Sequence, residues 1–261
     1  MSDSAPDAPL RILVTNDDGI RAEGLAVLQE VARELSDDVW TVAPDDNQSA
    51  VGRSLSLHTP ATEYRVDERS VAVRGTPTDC VVVALKHVLA DRPPDLLLSG
   101  INSGQNIAED LTFSGTVAAA LMGTQLGIPS IALSLAKGFQ EAKSLPWDTA
   151  REAAPDAIRR LLAAGWPAGT TLNLNIPDVP AGQCKGIRVV EQGRRDHRMV
   201  GLDTRPHPRG GNYHWLLYGA DRSEPEEGTD LHAVYHGHIS VTPLRTDLTD
   251  RPTLEALRKA L

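Results

Sequence analysis

Residues 11–20, RILVTNDDGI, set a short aliphatic run directly before an asparagine, two adjacent aspartates and a glycine. Ile12, Leu13 and Val14 leave no polar face, which is the pattern of a strand covered on both sides in a parallel sheet. Asp17 and Asp18 then stand at the carboxyl end of that strand. In open α/β sheets ligands bind at this edge, because the loops leaving the strands converge there. Neighbouring carboxylates repel, so a fold that holds them together needs hydrogen-bond donors or a cation beside them. A plain polar turn uses the same residue types, and this stretch alone favours neither reading.

The rest of the chain supplies partners for that turn. Leu25, Leu28, Val31, Ala32 and Leu35 recur at three- and four-residue spacing, predicting a helix over residues 24–35, and residues 39–43 read as a second strand. A strand–helix–strand crossover is right-handed and leaves its strands parallel. Residues 44–53, PDDNQSAVGR, therefore hang over the same edge, with Ser49 either an ordinary loop serine or a hydroxyl aimed inward. Residues 54–73 change to short alternating runs, LSLH, ATEYRV and SVAVRG, and predict two or three antiparallel strands projecting from the sheet. Thr76 and Pro77 open a helix as N-cap and first residue, with residues 80–89 as its apolar stripe.

DLLLS, residues 95–99, is another buried parallel strand, followed at once by Gly100 and Gly104 around a polar loop. Glycines there let the backbone approach a ligand, and Asn102 offers a neutral oxygen. Ser114, Gly115 and Thr116 precede an Ala-rich helix over residues 117–126. Hydroxyls and a glycine at a helix amino terminus make an anion cradle, and Ser114 serves equally as a plain N-cap. A strand follows at 130–134 and a helix at 148–164, while TLNLNI before Pro177 predicts a strand at or near the sheet edge. Residues 192–227, rich in Arg, His, Pro, Gly and acids, read as an extended arm packing on another subunit or as a solvated excursion; only 214–218 is strand-like. A short helix at 229–236, a strand at 239–242 and a terminal helix at 253–261 complete the pattern.

With 261 residues the chain suffices for one large α/β domain, here 11–261, after a polar tail of residues 1–10 that is expected to be disordered and does not read as a signal peptide. A net charge of −9 argues against a nucleic-acid polymer as partner, since such binding neutralises phosphates with Lys and Arg. No apolar run approaches the ~20 residues of a membrane span. Cys80 and Cys184 lack a metal-type spacing and fit reduced thiols in the cytoplasm.

Three loops on one edge thus offer Asp17, Asp18, Ser49 and Asn102, all oxygen donors, which suits Mg²⁺ or Mn²⁺, with Ca²⁺ also compatible, and disfavours zinc. Beside an anion cradle this points to phosphate chemistry. In order along the chain, TNDDG, APDDNQSAVGRSLSLHTP, GTPTDC, DLLLSGINSGQN, FSGTVAAALMG, GIPSIALS, NLNIP and GHISVTPL resemble the SurE family of survival proteins, metal-dependent nucleotidases and acid phosphatases. The resemblance is dense over residues 11–134 and patchy beyond. It implies a Rossmann-like core, one divalent metal per subunit held by Asp17, Asp18, Ser49 and Asn102, and hydrolysis of nucleoside 5′-monophosphates. It also implies a homodimer or homotetramer with exchanged carboxy-terminal elements.

On this reading Asn16, Asn102, Gly104, Ser114, Gly115 and Thr116 hold the phosphate, Asp17 and Asp18 are catalytic, and Asp17 orients or deprotonates water. His58 is either the general acid or a surface histidine. Ala50, Ala108 and Phe113 replace the family's usual glycine, glycine and tyrosine, which bears on substrate preference. A broad acid phosphatase or exopolyphosphatase, or a nucleotide-binding protein without turnover, remains an alternative. A haloacid-dehalogenase-type phosphatase spaces its aspartates by one residue, and a dinucleotide dehydrogenase would show G-x-G-x-x-G at the first turn; this chain shows neither.

Overall fold

The computed structural model of the protein describes residues 9–138, 145–196, 200–218 and 223–261. Residues 1–8 of the expected tail lie outside the described residues. Pro9 and Leu10 do not: the carbonyl of Pro9 accepts from Arg92 Nη2 at 2.9 Å, and Leu10 packs on the core.

In chain order the elements are β1 (Arg11–Thr15), α1 (Glu23–Arg33), β2 (Asp38–Pro44), β3 (Thr62–Asp67), β4 (Ser70–Arg74), α2 (Pro77–Val83), β5 (Leu96–Ser103), α3 (Gly115–Gln125), β6 (Ser130–Leu135), α4 (Trp147–Ala164), β7 (Thr171–Ile176), β8 (Ile187–Val189), β9 (Val200–Pro206), β10 (Asn212–Tyr218), α5 (Asp230–Tyr235), β11 (Ile239–Leu244) and α6 (Arg251–Ala260). Among the described residues, nine strands form one sheet in the order β3-β4-β2-β1-β5-β6-β7-β11-β8, and β9 and β10 form a separate antiparallel pair. All neighbours in the large sheet run parallel except β3 with β4 and β7 with β11. β1 lies between β2 and β5, so strand order reverses beside it. The crevice of a doubly wound sheet opens at that reversal.

Both faces of the sheet are covered, which explains the uninterrupted apolar strands. Leu25 and Leu28 of α1 and Ala154 and Ile158 of α4 close over Ile12 and Val14 on one face. Cys80 and Val81 of α2 and Val117 and Ala120 of α3 close over Leu13 and Val42 on the other. The small residues of α3 permit close packing: a Cβ on Gly123 would lie 2.5 Å from Ser130 Oγ and 2.7 Å from Leu97 Cδ1.

Several expectations change. Residues 54–73 do not project: β4 pairs parallel with β2, so the β3–β4 hairpin extends the main sheet, and the LSLH run forms no strand. The separate hairpin is β9–β10, inside the region read as an arm. β7 is interior, with β6 on one side and β11 on the other, because Pro177 falls after its last paired residue and removes no donor from the ladder. The helix at 80–89 is α-helical only to Val83 and continues as a π turn over Ala84–Val88. The three-residue strand β8 carries no alternation from which to read it.

At the amino edge of the sheet Asp38 accepts from Arg11 Nε at 2.8 Å and Trp40 Nε1 at 3.0 Å, with Arg92 and Arg69 close by. Burial alone would raise its carboxyl, but these hydrogen bonds and guanidinium charges hold it below the usual carboxylate range. The native state therefore binds fewer protons than the unfolded chain near pH 4. The stabilisation is present above an unfolded value of about 3.9 and is lost as pH falls through the lowered folded value. Asp38→Asn is expected to lower unfolding free energy by about 1–3 kcal/mol at pH 7. In urea titrations from pH 7 to pH 3 its difference from wild type should shrink toward the acid end.

Candidate active site

Asp17 and Asp18 leave β1 at its carboxyl end beside the strand-order reversal. The turn that presents them is closed by Asn16, whose Nδ2 donates to the Gly19 carbonyl at 3.0 Å and whose Oδ1 accepts the Gly19 N–H at 3.3 Å. Asn16 is 1% exposed. One N–H and the oxygen of its amide thus shape the turn that carries the acids.

The two acids face different elements. Asp17 is buried, and its Oδ1 accepts the Thr116 hydroxyl at 2.5 Å. The main-chain N–H of Thr116 also favours its ionised form. Gly115 makes this approach feasible, because a Cβ there would stand 2.7 Å from Asp17 Cβ and 2.9 Å from Oδ2. The Thr116 hydroxyl is thereby engaged by Asp17. Asp18 is half-buried, and its Oδ2 accepts the Ser103 N–H at 3.4 Å. Burial pushes the Asp17 carboxyl up to about 6, with Asp18's charge adding to the rise against the Thr116 bond. Burial raises Asp18 as well, offset in part by the Ser103 N–H and the charge of Lys137.

The other two expected ligands come from neighbouring segments. The Gln48 N–H donates to the Asp17 carbonyl at 2.7 Å, which ties the loop carrying Ser49 to the acid turn. Ser49 itself is exposed, its N–H on Asn47 Oδ1 at 2.8 Å. Asn102 lies within the last residues of β5, which runs farther than expected, and its Nδ2 donates to the Gly104 carbonyl at 2.8 Å. That bond fixes the side chain through its nitrogen. Gly104, with φ +125°, gives its N–H to Leu135 O at 2.9 Å and Asn102 O at 3.1 Å. Its N–H is engaged inside the loop.

Ser114 caps α3, its Oγ accepting the Val117 N–H at 3.1 Å, as a cap and cradle residue would. His58 is exposed and makes no hydrogen bond among the described residues. Lys137, at the end of β6, was missed by sequence reasoning. A Cβ on Gly104 would meet its Cε at 3.5 Å and Nζ at 4.0 Å, and its charge reaches Asp18. A lone lysine after a buried strand carries no distinguishing pattern.

The donor set fits a hard divalent cation. Among the described residues no group of three or more His, Cys, Asp or Glu suits a metal, so an ion here would rest on two carboxylates and neutral oxygens, the chemistry of Mg²⁺ or Mn²⁺. The fit lies in two adjacent, partly desolvated carboxyls, both raised and neither salt-bridged among the described residues.

Fold and site together define a doubly wound α/β protein with an adjacent acid pair at the carboxyl edge of its sheet, set against a helix amino terminus. The chain belongs to the survival protein SurE family, whose model matches residues 12–199. It is 53% identical to a protein of Parvibaculum lavamentivorans over 97% of this chain and 91% of that one, and 54% identical to one of Methylobacterium nodulans over 94% and 97%. Both relatives are named 5′-nucleotidase SurE. The crystal structure of SurE protein from Aquifex aeolicus superposes with a TM-score of 0.81 at 37% identity, covering 96% of this chain and 99% of that one.

A raised carboxyl has a stability consequence of opposite sign to Asp38. For Asp17 the favourable contribution is complete below an unfolded value of about 3.9 and is lost as pH rises through about 6. In chelator at pH 7–8, Asp17→Asn is expected to raise unfolding free energy by about 2–3 kcal/mol, an advantage that disappears near pH 4. Denaturant titrations at both pH values read it.

Proposed function

We propose that this protein is a divalent-cation-dependent phosphomonoesterase that hydrolyses nucleoside 5′-monophosphates to nucleoside and phosphate, a 5′-nucleotidase. The observation that carries the reading is the adjacent acid pair at the carboxyl end of β1, with Asp17 hydrogen-bonded to Thr116 in the first turn of α3. The names of the relatives agree with it.

In this reading Asp17, Asp18, Ser49 and Asn102 hold the cation, Mg²⁺ or Mn²⁺. When bound it supplies Lewis acidity to a phosphate oxygen and lowers the pKa of coordinated water. Thr116 fixes the carboxylate of Asp17 through Oδ1, which leaves Oδ2 as the atom that orients the attacking water. Ser114 and Gly115 offer a hydroxyl and a helix-terminal N–H to the remaining phosphate oxygens, where the dipole of α3 favours an anion. Asn102 steadies the same group from β5, and the ordering of Asp17 before substrate arrives is what the Gly115 approach provides.

The same proposal includes a homodimer or homotetramer that exchanges carboxy-terminal elements. Leu202 on β9 and Trp215, Leu216 and Leu217 on β10 are exposed, and α6 buries none of its residues. Apolar surface of that kind is ordinarily covered by a partner, and a second copy of this chain is the occupant proposed. A cytoplasmic location belongs to the reading as well. It is supported by the two free cysteines and by the finding that, among the described residues, no helix is long and apolar enough to cross a membrane.

Phosphate release from a panel of nucleoside monophosphates is expected with Mg²⁺ or Mn²⁺ and is expected to vanish in chelator. Asp18→Ala should abolish turnover while circular dichroism and melting remain those of a folded protein. Full activity in that variant rejects the assignment. Sedimentation equilibrium tests the assembly, and a monomer at micromolar concentration would reject the exchanged arm.

A further inference from the structure

The arm expected to serve only assembly also grips the segment that feeds the cradle. Between β5 and α3 lies a 3₁₀ turn, Ala108–Thr112, entered through Ala108 at φ +52°. Left-handed backbone is unfavourable for a residue with a Cβ, so surrounding contacts must hold it there. Both main-chain groups of Ala108 are taken from outside: its N–H by Asp230 Oδ2 at 2.9 Å and its carbonyl by Gln192 Nε2 at 2.9 Å.

Arg195 is the centre of that grip. Its side chain is 4% exposed, and its guanidinium meets Asp110 as a fork, Nη1 to Oδ1 at 2.9 Å and Nη2 to Oδ2 at 2.6 Å. Nη1 also donates to the Ile107 carbonyl at 3.3 Å, and the Arg195 N–H reaches the Glu109 carboxylate at 3.2 Å. The Tyr218 hydroxyl, at the end of β10, donates to Asp110 Oδ1 from the other side.

From Asp110 the path to the reacting centre is short and continuous. Its carbonyl accepts the N–H groups of Phe113 at 3.0 Å and Ser114 at 3.1 Å. Ser114 caps α3 through Val117, and Thr116, two residues on, donates to Asp17. We propose that Arg195, with Tyr218, is a positioning residue for the phosphoryl-transfer site: by fixing Asp110 it fixes the start of α3 and with it the orientation of Asp17. The proposal rests on the phosphomonoesterase reading of the preceding subsection. A planar fork on a carboxylate is geometry that a lysine does not reproduce. A displacement of about 1 Å at a reacting group is enough to reduce turnover about a hundredfold.

Steady-state kinetics on Arg195→Lys, Arg195→Met, Tyr218→Phe, Asp110→Asn and the double variant Arg195→Met/Asp110→Asn test it. Arg195→Met is expected to lose about tenfold or more in kcat with a smaller change in KM, and Arg195→Lys to recover part of that loss. Tyr218→Phe, which keeps the fork, should lose a few-fold while its melting temperature stays within about 2 °C of wild type, as for a mild surface-side deletion. The double variant should be no slower than the worse single one, since both act through the same contact. If Arg195→Met does not fold, the Lys and Phe variants carry the test. Wild-type kcat in both of those, losses that multiply in the double variant, or losses matched by the unfolded fraction overturn the proposal. A wild-type protein that releases no phosphate refutes the earlier reading instead. Amide exchange at Ser114 and Val117 then decides, faster exchange in Arg195→Lys supporting the grip and unchanged exchange overturning it.

Discussion

The structure depends on the burial of one carboxylate against the first turn of one helix. Asp17 leaves the central strand and meets α3 through the Thr116 hydroxyl, a contact that joins residues 99 positions apart. Desolvating an acid is unfavourable, and helix-terminal donors recover only part of the loss, which is why its carboxyl sits near 6 rather than in the ordinary range. In the proposed reading, a bound cation would relieve that unfavourable burial. The buried carboxylate also fixes what lies around it: no side chain larger than hydrogen is accommodated at Gly115 without moving Asp17.

A carboxylate held in this way needs a rigid frame, and the frame is built from two sides. The doubly covered sheet supplies one, with β1 and β5 side by side and α3 packed through small residues on β5 and β6. The carboxy-terminal region supplies the other through Gln192, Arg195, Tyr218 and Asp230, which take the main-chain and side-chain groups of residues 107–110. Buried ion pairs are weak sources of net stability, because desolvation offsets much of the attraction. The Arg195–Asp110 fork is better understood as a device that defines geometry than as one that holds the chain folded.

Much of the architecture was legible because its signals are local. Three aliphatic residues in succession mark a doubly covered strand, three- and four-residue spacing marks α1, and Thr76 with Pro77 marks the start of α2, with the cap bond present as expected. Which strands become neighbours is not a local property. β4 joined β2 and β7 moved to the interior because of pairing partners far away in sequence. The place of the acid pair was legible for the same reason, since acids directly after a buried parallel strand stand at the carboxyl edge of the sheet. The hydrogen bonds around the pair were not: Asn16, Gly104 and Thr116 each meet a partner that only the folded backbone brings within reach.

By itself the sequence determined the covered parallel strands, the carboxyl-edge position of Asp17 and Asp18, the capped start of α3, and membership of a family through motifs in fixed order. Those follow from short-range sterics, periodicity and residue chemistry, which a linear string records completely. The tertiary structure alone decided that Thr116 and Gly115 meet Asp17, that the Asn102 amide nitrogen is tied to Gly104, and that Arg195 forks onto Asp110. These depend on the distances at which remote segments come to rest, and those distances are set by the packing of whole helices on the sheet.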